Sequence, residues 1–473
     1  MKKTQISKVY QSAAFAAIAF LLLMMPLNGA VSAAQPNFVP PGYIDMPYDD
    51  PDPLVDPFVK AEPTADNPES KLWYNDGFWW GILFDQVEKE YAIYRLNWAT
   101  QAWVKTATAV DSRIDTAETG EGVATRFDAL WDGASGKLYL LSHLLTQNPA
   151  NTNNADNQAQ LVRYSYNAGS DTYTADTGFP IIVSPARTSA MVLDKDSTGR
   201  LWLTYVARPA SGQAYRVYVN YTPTANNDLV WSGPIDISAH SSTATVTQDD
   251  ESSVIAYGNK VGLMWSNQSD TNFYFAEIDA GDNPAVAANW DIDPILAASL
   301  NADDHIKLVA NGEGEVFAAV KAASNGTYLI TRSTTGTFTS HIFSPGDTDT
   351  HPTLAYNEDT DTIYMFVASN PTGGVICVNS AVVPANPGDL VLSQKNCDPT
   401  AATTADHFIA DDTHTMINNP TTTKRPFTNA SGLVVLASDD EDKVYLHGVI
   451  EPGDDPGPDP QPEKLYLPII RRN

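Results

Sequence analysis

The residues best suited to chemistry in this chain are two carboxyls and an imidazole in a row, Asp303-Asp304-His305, with Lys321 following. Asp349 and His351 repeat the pairing of acid and imidazole further on, and Arg126, Asp128 and His143 supply a guanidinium, a carboxyl and an imidazole well upstream. Groups of the same kind stand at Lys71 and Asp85, at Arg187 and Ser189, at Asp249, Asp250, Glu251 and Asn267, and at Asn370, Asn418, Asn419, Lys424 and Asp439. Three chemistries are open to such a set. β-Elimination beside a uronate carboxylate needs a cation to neutralise that carboxylate and a base near the acidified C–H. Arg126, Arg187 and Lys424 offer the cation, and His305, His351 or His143 the base. Hydrolysis of a glycosidic bond instead needs two carboxylates at a controlled separation, and Asp250 or Glu251 with Asp304 would form that pair. A metal could be held by Asp304, His305 and His351, but neither HExxH nor a tight His-x-His spacing favours zinc, and no metal ligand set is assigned. The catalytic candidates are therefore His305, His351, Asp304 and Glu251. Lys71, Arg126, His143, Arg187, Asp250, Lys321, Asn419 and Lys424 are the binding candidates.

Residues so far apart meet only if a repeated scaffold returns each of them to the same place. After Asp303-Asp304-His305 comes a short β-type run (306–310), a turn rich in glycine (311–314) and a second apolar run (316–320), which reads as a tight hairpin. Aligned on that hairpin, second strands are visible at residues 78–84, 137–143, 200–205, 260–265, 315–320, 362–367 and 432–437. Third strands follow each, with weaker fourth strands near Trp103, near Trp231 and at 390–392. Seven copies of a four-stranded unit, spaced by roughly fifty to seventy residues, predict an all-β fold, a seven-bladed β-propeller with four-stranded antiparallel blades. In such a blade the loop entering the first strand and the loop leaving the second share one face. The polar residues above converge there on one mouth, while turns such as 132–136, 196–199 and 311–314 form the opposite face. Trp73, Trp79, Trp80, Trp131, Trp202 and Trp265 fall at strand positions and are expected to pack between blades rather than stack on sugars.

The ends divide the chain further. Lys2, Lys3 and Lys8 precede an apolar run (13–25), Pro26 and the small residues at 30–34, so residues 1–34 read as a secretory signal, too short in its apolar part to span a bilayer. Residues 35–67 form an arm rich in Pro and Asp, 68–450 the propeller, 451–463 a Pro/Asp linker and 464–473 a short apolar tail resembling those that retain secreted bacterial proteins at the cell surface. The last repeat lacks a fourth strand, and the arm is expected to supply it. The formal charge of −29 is spread along the chain, which argues against nucleic acid as a partner. No cofactor is required; calcium is the one cation such acid could hold. The run 439–442 lacks the spaced ligands of an EF-hand loop and reads as a solvated turn. Cys377 and Cys397 fall in one repeat of an exported chain, where a disulfide is the first reading and a thiol nucleophile the second.

The hairpin pattern, with Asp196-Ser-Thr-Gly199-Arg-Leu-Trp202 as its best copy, resembles that of bacterial-neuraminidase-repeat propellers, a superfamily that includes sialidases and ulvan-type polysaccharide lyases. Asp303-Asp304-His305 resembles an Asp-Asp-His motif of the lyase-like members. The resemblance runs over roughly residues 70 to 450 and implies contact with a glycan. Neither the Ser-x-Asp-x-Gly-x-Thr-Trp box nor the Arg-Ile-Pro sequence of sialidases occurs, which points away from sialidase activity. The expectation is an extracellular, monomeric propeller, free or retained at the cell surface. It binds an acidic polysaccharide or glycoconjugate; whether it is an enzyme is left open, polysaccharide lyase or glycoside hydrolase being the chemistry if it cleaves. The alternative is a non-catalytic adhesion or protein-interaction module using the same face.

Overall fold

Short runs of β-branched and aromatic residues, broken by turns at Gly, Asn and Asp, fold into seven antiparallel blades in the computed structural model. The structure describes residues 42–49, 59–60, 63–64, 68–115, 122–146, 148–240, 245–295, 300–323, 326–345, 349–369, 374–395, 397 and 407–453. The stretches read from sequence as a signal and a tail, most of the expected linker and Asn370 lie outside them. The chain divides into two units, and the described residues all belong to the one running from Gln35 to Asp455. Among them the only helical segments are short 3-10 turns, and no helix is long and apolar enough to cross a membrane.

Blade 1 comprises Leu72–Asn75, Phe78–Asp85, Glu90–Asn97 and Ala102–Asp111; blade 2, Gly122–Asp132, Lys137–Leu144, Ala159–Asn167 and Thr172–Ala175. Blade 3 comprises Met191–Lys195, Leu201–Ala207, Arg216–Tyr221 and Ile235–Asp236; blade 4, Ser252–Tyr257, Lys260–Asn267, Asn272–Asp279 and Asp291–Ile295. Blade 5 comprises Ala302–Ala310, Val316–Ala322, Gly326–Arg332 and Phe338–Ser344; blade 6, Asp349–Asn357, Thr362–Ser369, Ile376–Val382 and His407–Ile409. Blade 7 takes Ile417–Thr421, Leu433–Asp439 and Val444–Ile450 from the end of the chain and its outer strand, Tyr43–Pro47, from the arm. That strand runs antiparallel to Val444–Ile450, with Tyr43 opposite His447 and Pro47 opposite Val444, so the last blade is completed by the first residues of the ring. His447 also bonds the Asp45 carboxylate through Nδ1 at 2.7 Å.

Two fourth strands differ from expectation. In blade 3 the outer strand is Ile235–Asp236 rather than the segment at Trp231, because Trp231 turns back to donate to the Asp228 carbonyl and Gly233 takes a positive φ of 84° before the strand begins. In blade 6 it is His407–Ile409 rather than 390–392. Leu390 is drawn instead into the apolar cluster around Cys377 and Cys397, which are joined in a disulfide. The cores lie between blades: Trp202 of blade 3 shares a cluster with Trp265 of blade 4, and Phe317 of blade 5 stacks on Tyr356 of blade 6. A blade apolar on both faces can be buried only by its neighbours, which is why the ring closes. Trp73, Trp79, Trp80, Trp202 and Trp265 are all consumed in this packing, whereas Trp131 remains half-buried.

Candidate functional site

The centre of the ring is occupied by the segment Pro68-Glu69-Ser70-Lys71, which is fully buried and tied to four blades. Ser70 N–H donates to the Asp128 carboxylate of blade 2 at 2.8 Å. Met191 N–H of blade 3 donates to Glu69 Oε1 at 3.0 Å. Lys307 of blade 5 donates to Ser70 Oγ at 2.6 Å and to the Pro68 and Glu69 carbonyls, and Thr421 of blade 7 donates to the Glu69 carbonyl at 3.2 Å. Glu69 then pairs with Lys71 Nζ and His143 Nε2, each at 2.5 Å. Burial works to raise the Glu69 carboxyl, but Lys71 and His143 outweigh it and hold Glu69 below its ordinary range. Burial also brings the Lys307 ammonium down to about 7.

This plug accounts for several of the residues singled out in the sequence. Lys71 is spent on Glu69 and the Phe127 carbonyl. Lys424 is buried against Asp128 and the Leu193 carbonyl. Asp128, bonded also to Leu193 N–H, is a junction between blades. Asp250 accepts from Thr247 N–H, Gln268 N–H and Ser266 Oγ, so it staples its own loop. Asp349 accepts from Cys397 N–H and Asp439 from Met416, Glu441 and Asp442 N–H, each closing a loop. Asp85 caps the turn after its strand and pairs with Lys105.

The remaining residues meet above the plug. In blade 5 the register slips between Ala302 and Ile306, and the extra residues present Asp303, Asp304 and His305 at the mouth. Asp303 pairs with Lys321 at 3.0 Å, and Asp304 with His305 Nδ1. Blades 6 and 7 carry the same irregularity, between Thr350 and Thr353 and between Asn418 and Thr421. At its centre sit His351 and Asn419, with φ of 48° and 54°, each immediately before a proline. A left-handed residue before proline is doubly disfavoured, and such strain is held in place by the surrounding ring. The His351 ring lies 4.4 Å from that of His305, centroid to centroid. Burial and then His305 push the His351 imidazole well below its usual range, so it is neutral at physiological pH, and its Nδ1 bonds no described residue.

From blade 4 comes Glu251, 8% exposed, whose carboxyl has no hydrogen-bond partner among the described residues. Its own burial, then the charges of Asp304 and Glu69, raise it well above the carboxylate range, opposed by Arg126. Asp304 behaves oppositely. Burial acts to raise it too, but His305, with Asp303 and Lys321, holds it far below. Asp249, at the exposed lip, is raised by burial and by Asp304. Arg126 reaches in from blade 2 and donates toward the Ser189 carbonyl at 3.5 Å, while half-buried Arg187 is lowered by desolvation. The structure thus gathers Glu251, Asp304, His305, His351, Lys321 and Arg126 at the mouth, with His143 and Lys71 one layer below through Glu69.

A carboxyl raised well above its ordinary range beside one held far below it, with an imidazole on the second, can donate and accept protons within one concave site. The donor atoms of Asp303, Asp304 and His305 lie within 4.8 Å of one another, a spacing a cation would tolerate, yet Lys321 and His305 already engage both carboxylates.

No protein-family model matches the chain, and no curated protein matches it in sequence. Among solved structures, an ulvan lyase bound to -[GlcA(1-4)Rha3S]- aligns with a TM-score of 0.49 at 9% identity, covering 88% of this chain and 96% of its own. A Trypanosoma rangeli sialidase in complex with the inhibitor DANA aligns at 0.41 and 14% identity over 65% of this chain and 53% of its own. An Aleuria aurantia lectin with Fucalpha1-6GlcNAc aligns at 0.38 and 11% identity over 69% and 94%.

Proposed function

We propose that the protein binds an acidic glycan across this mouth and cleaves it by proton transfer between His305 and Glu251. The observation that supports the reading is the pair of carboxyls driven apart, Glu251 upward by burial and Asp304, and Asp304 downward by His305. Asp304 accepts from His305 Nδ1–H and leaves Nε2 as the base. A uronate carboxylate paired with Arg126 acidifies the neighbouring C–H. His305 takes that proton, the electron pair forms a carbon–carbon double bond, the C–O bond to the leaving sugar breaks, and Glu251 protonates the departing oxygen. Neutral His351 packs the His305 ring from the side and holds its orientation. A hydrolytic course would use the same Glu251 proton on the glycosidic oxygen, with Asp304 as second carboxylate. The residues numbered 1–34 have the pattern of an export signal, which would place the substrate outside the cell.

Incubation with uronate polymers tests the proposal. Elimination gives ultraviolet absorbance from unsaturated sugar ends, whereas hydrolysis gives new reducing ends without it. Neither product from any uronate polymer would remove the catalytic reading. The pairing of Asp303 with Lys321 favours, as second reading, a mouth that only holds its ligand, and retained binding without products would support it.

A further inference from the structure

The opposite face of the ring carries a cavity of about 300 Å³ that the mouth does not use. It is lined by residues from the ends of first strands and the connections to second strands in blades 1, 2, 6 and 7, the reverse side from the mouth. Its wall is aromatic: Trp73, Trp79 and Phe427 are buried behind it, and the half-buried rings of Tyr74 and Trp131 face it. The inner rings are fixed. Trp73 Nε1–H donates to Tyr173 Oη at 2.8 Å and Trp79 Nε1–H to the Ser431 carbonyl at 2.9 Å, while Tyr74 packs on Trp79 with centroids 5.7 Å apart. The outer groups are not consumed in this way. The Tyr74 hydroxyl and the Trp131 indole N–H make no hydrogen bond to any described residue. Arg425, anchored by Nη2 to the Asp194 carboxylate at 2.8 Å, likewise keeps its other donors uncommitted among the described residues. Exposed Glu358 adds an acceptor at the rim.

We infer that this cavity is a second carbohydrate site, one that takes a single neutral sugar residue. A pyranose presents apolar C–H faces to aromatic rings and a polar edge of hydroxyls that both donate and accept. That matches a wall of rings bordered by donors on Tyr74, Trp131 and Arg425 and by an acceptor on Glu358. A flat hydrocarbon ligand would leave those polar groups desolvated without partners, which disfavours it. An anionic sugar is disfavoured, since Arg425 already pairs with Asp194 and Glu358 adds a negative charge. The volume stands at the low end of the roughly 300–1,000 Å³ of ligand cavities, which suits one ring and not a chain. With its mouth on the other face, the ring would hold two glycan elements on opposite sides at once.

The test is titration of the purified protein with glucose, galactose, mannose, rhamnose and N-acetylglucosamine, with glucuronate as the anionic control, followed by tryptophan fluorescence and calorimetry. The inference expects saturable binding of at least one neutral sugar. It expects an affinity about tenfold weaker or worse in Trp131→Ala, a smaller loss in Tyr74→Phe, and no change in His305→Ala. Tyr74→Phe removes one hydroxyl without opening the core, so it reports even if Trp131→Ala fails to fold. Absence of saturable binding by every neutral sugar, a response to glucuronate alone, or undiminished binding in both variants would overturn it. Because His305→Ala acts only on the mouth, failure there leaves this site standing, and the reverse.

Discussion

Glu251 and Asp304 come from adjacent blades into one mouth and shift in opposite directions: burial and then the Asp304 charge raise the Glu251 carboxyl well above its ordinary range, while His305 holds Asp304 far below its own. Glu251→Gln keeps the shape and removes the proton. It is expected to lower turnover by about 10²-fold or more and to abolish the fall in activity as pH rises through the raised Glu251 value. Stability should move the other way. A carboxyl whose folded value is raised contributes stability below its unfolded value, lost as pH rises through the folded one, so at neutral pH the Gln variant should unfold at equal or higher denaturant concentration. A pH–rate profile and denaturation curves of both proteins check the two signs.

His305 is proposed as the base. His305→Ala should cut turnover by roughly 10²–10⁴ while leaving the melting temperature and the circular dichroism unchanged. A variant that unfolds would assign His305 to the scaffold.

The axial plug predicts a structural cost away from the mouth. Glu69→Ala strands buried Lys71 and His143 and leaves Met191 N–H without its acceptor, so a loss of about 3–5 kcal/mol is expected in chemical denaturation. Glu69→Gln should cost less, because an amide oxygen can still accept from Met191.

Lys307 makes the plug sensitive to pH. Its folded value of about 7 lies below that of an unfolded lysine. The unfolded chain therefore binds more protons between about pH 7 and about pH 10, and stability rises with pH there by up to about 1.4 kcal/mol per unit. Denaturation midpoints should climb between about pH 7 and about pH 9, and Lys307→Met should flatten that slope even if it lowers overall stability.

The ring was readable because its unit repeats: seven hairpins of one pattern leave few ways to bury both faces of each, and the missing outer strand of blade 7 pointed to the arm. The fourth strands of blades 3 and 6 were not, since an edge strand paired on one side carries little pattern, and Trp231 and Leu390 looked like strand residues while serving as loop packing. Within the candidate site, His305, His351 and Arg126 stood out in the sequence as rare residue types at equivalent repeat positions, and Asp304 and Glu251 as acids beside them. Glu69 was hidden, one acid just past the acidic arm whose burial follows only from threading the axis. The same threading turns Lys71 and Lys424 inward. A signal for the strained positions was present in His351-Pro352-Thr353 and Asn419-Pro420-Thr421, two copies of one tripeptide pattern whose left-handed backbone no propensity would suggest.

Acidic-glycan binding at this mouth is the proposed function. It is tested most directly by calorimetric titration of uronate oligosaccharides into the purified protein and into Arg126→Gln. Saturable binding to the first and an affinity about tenfold lower or worse for the second, with the fold intact, are expected. Absence of binding by every uronate oligosaccharide, or equal affinity in both proteins, would contradict it.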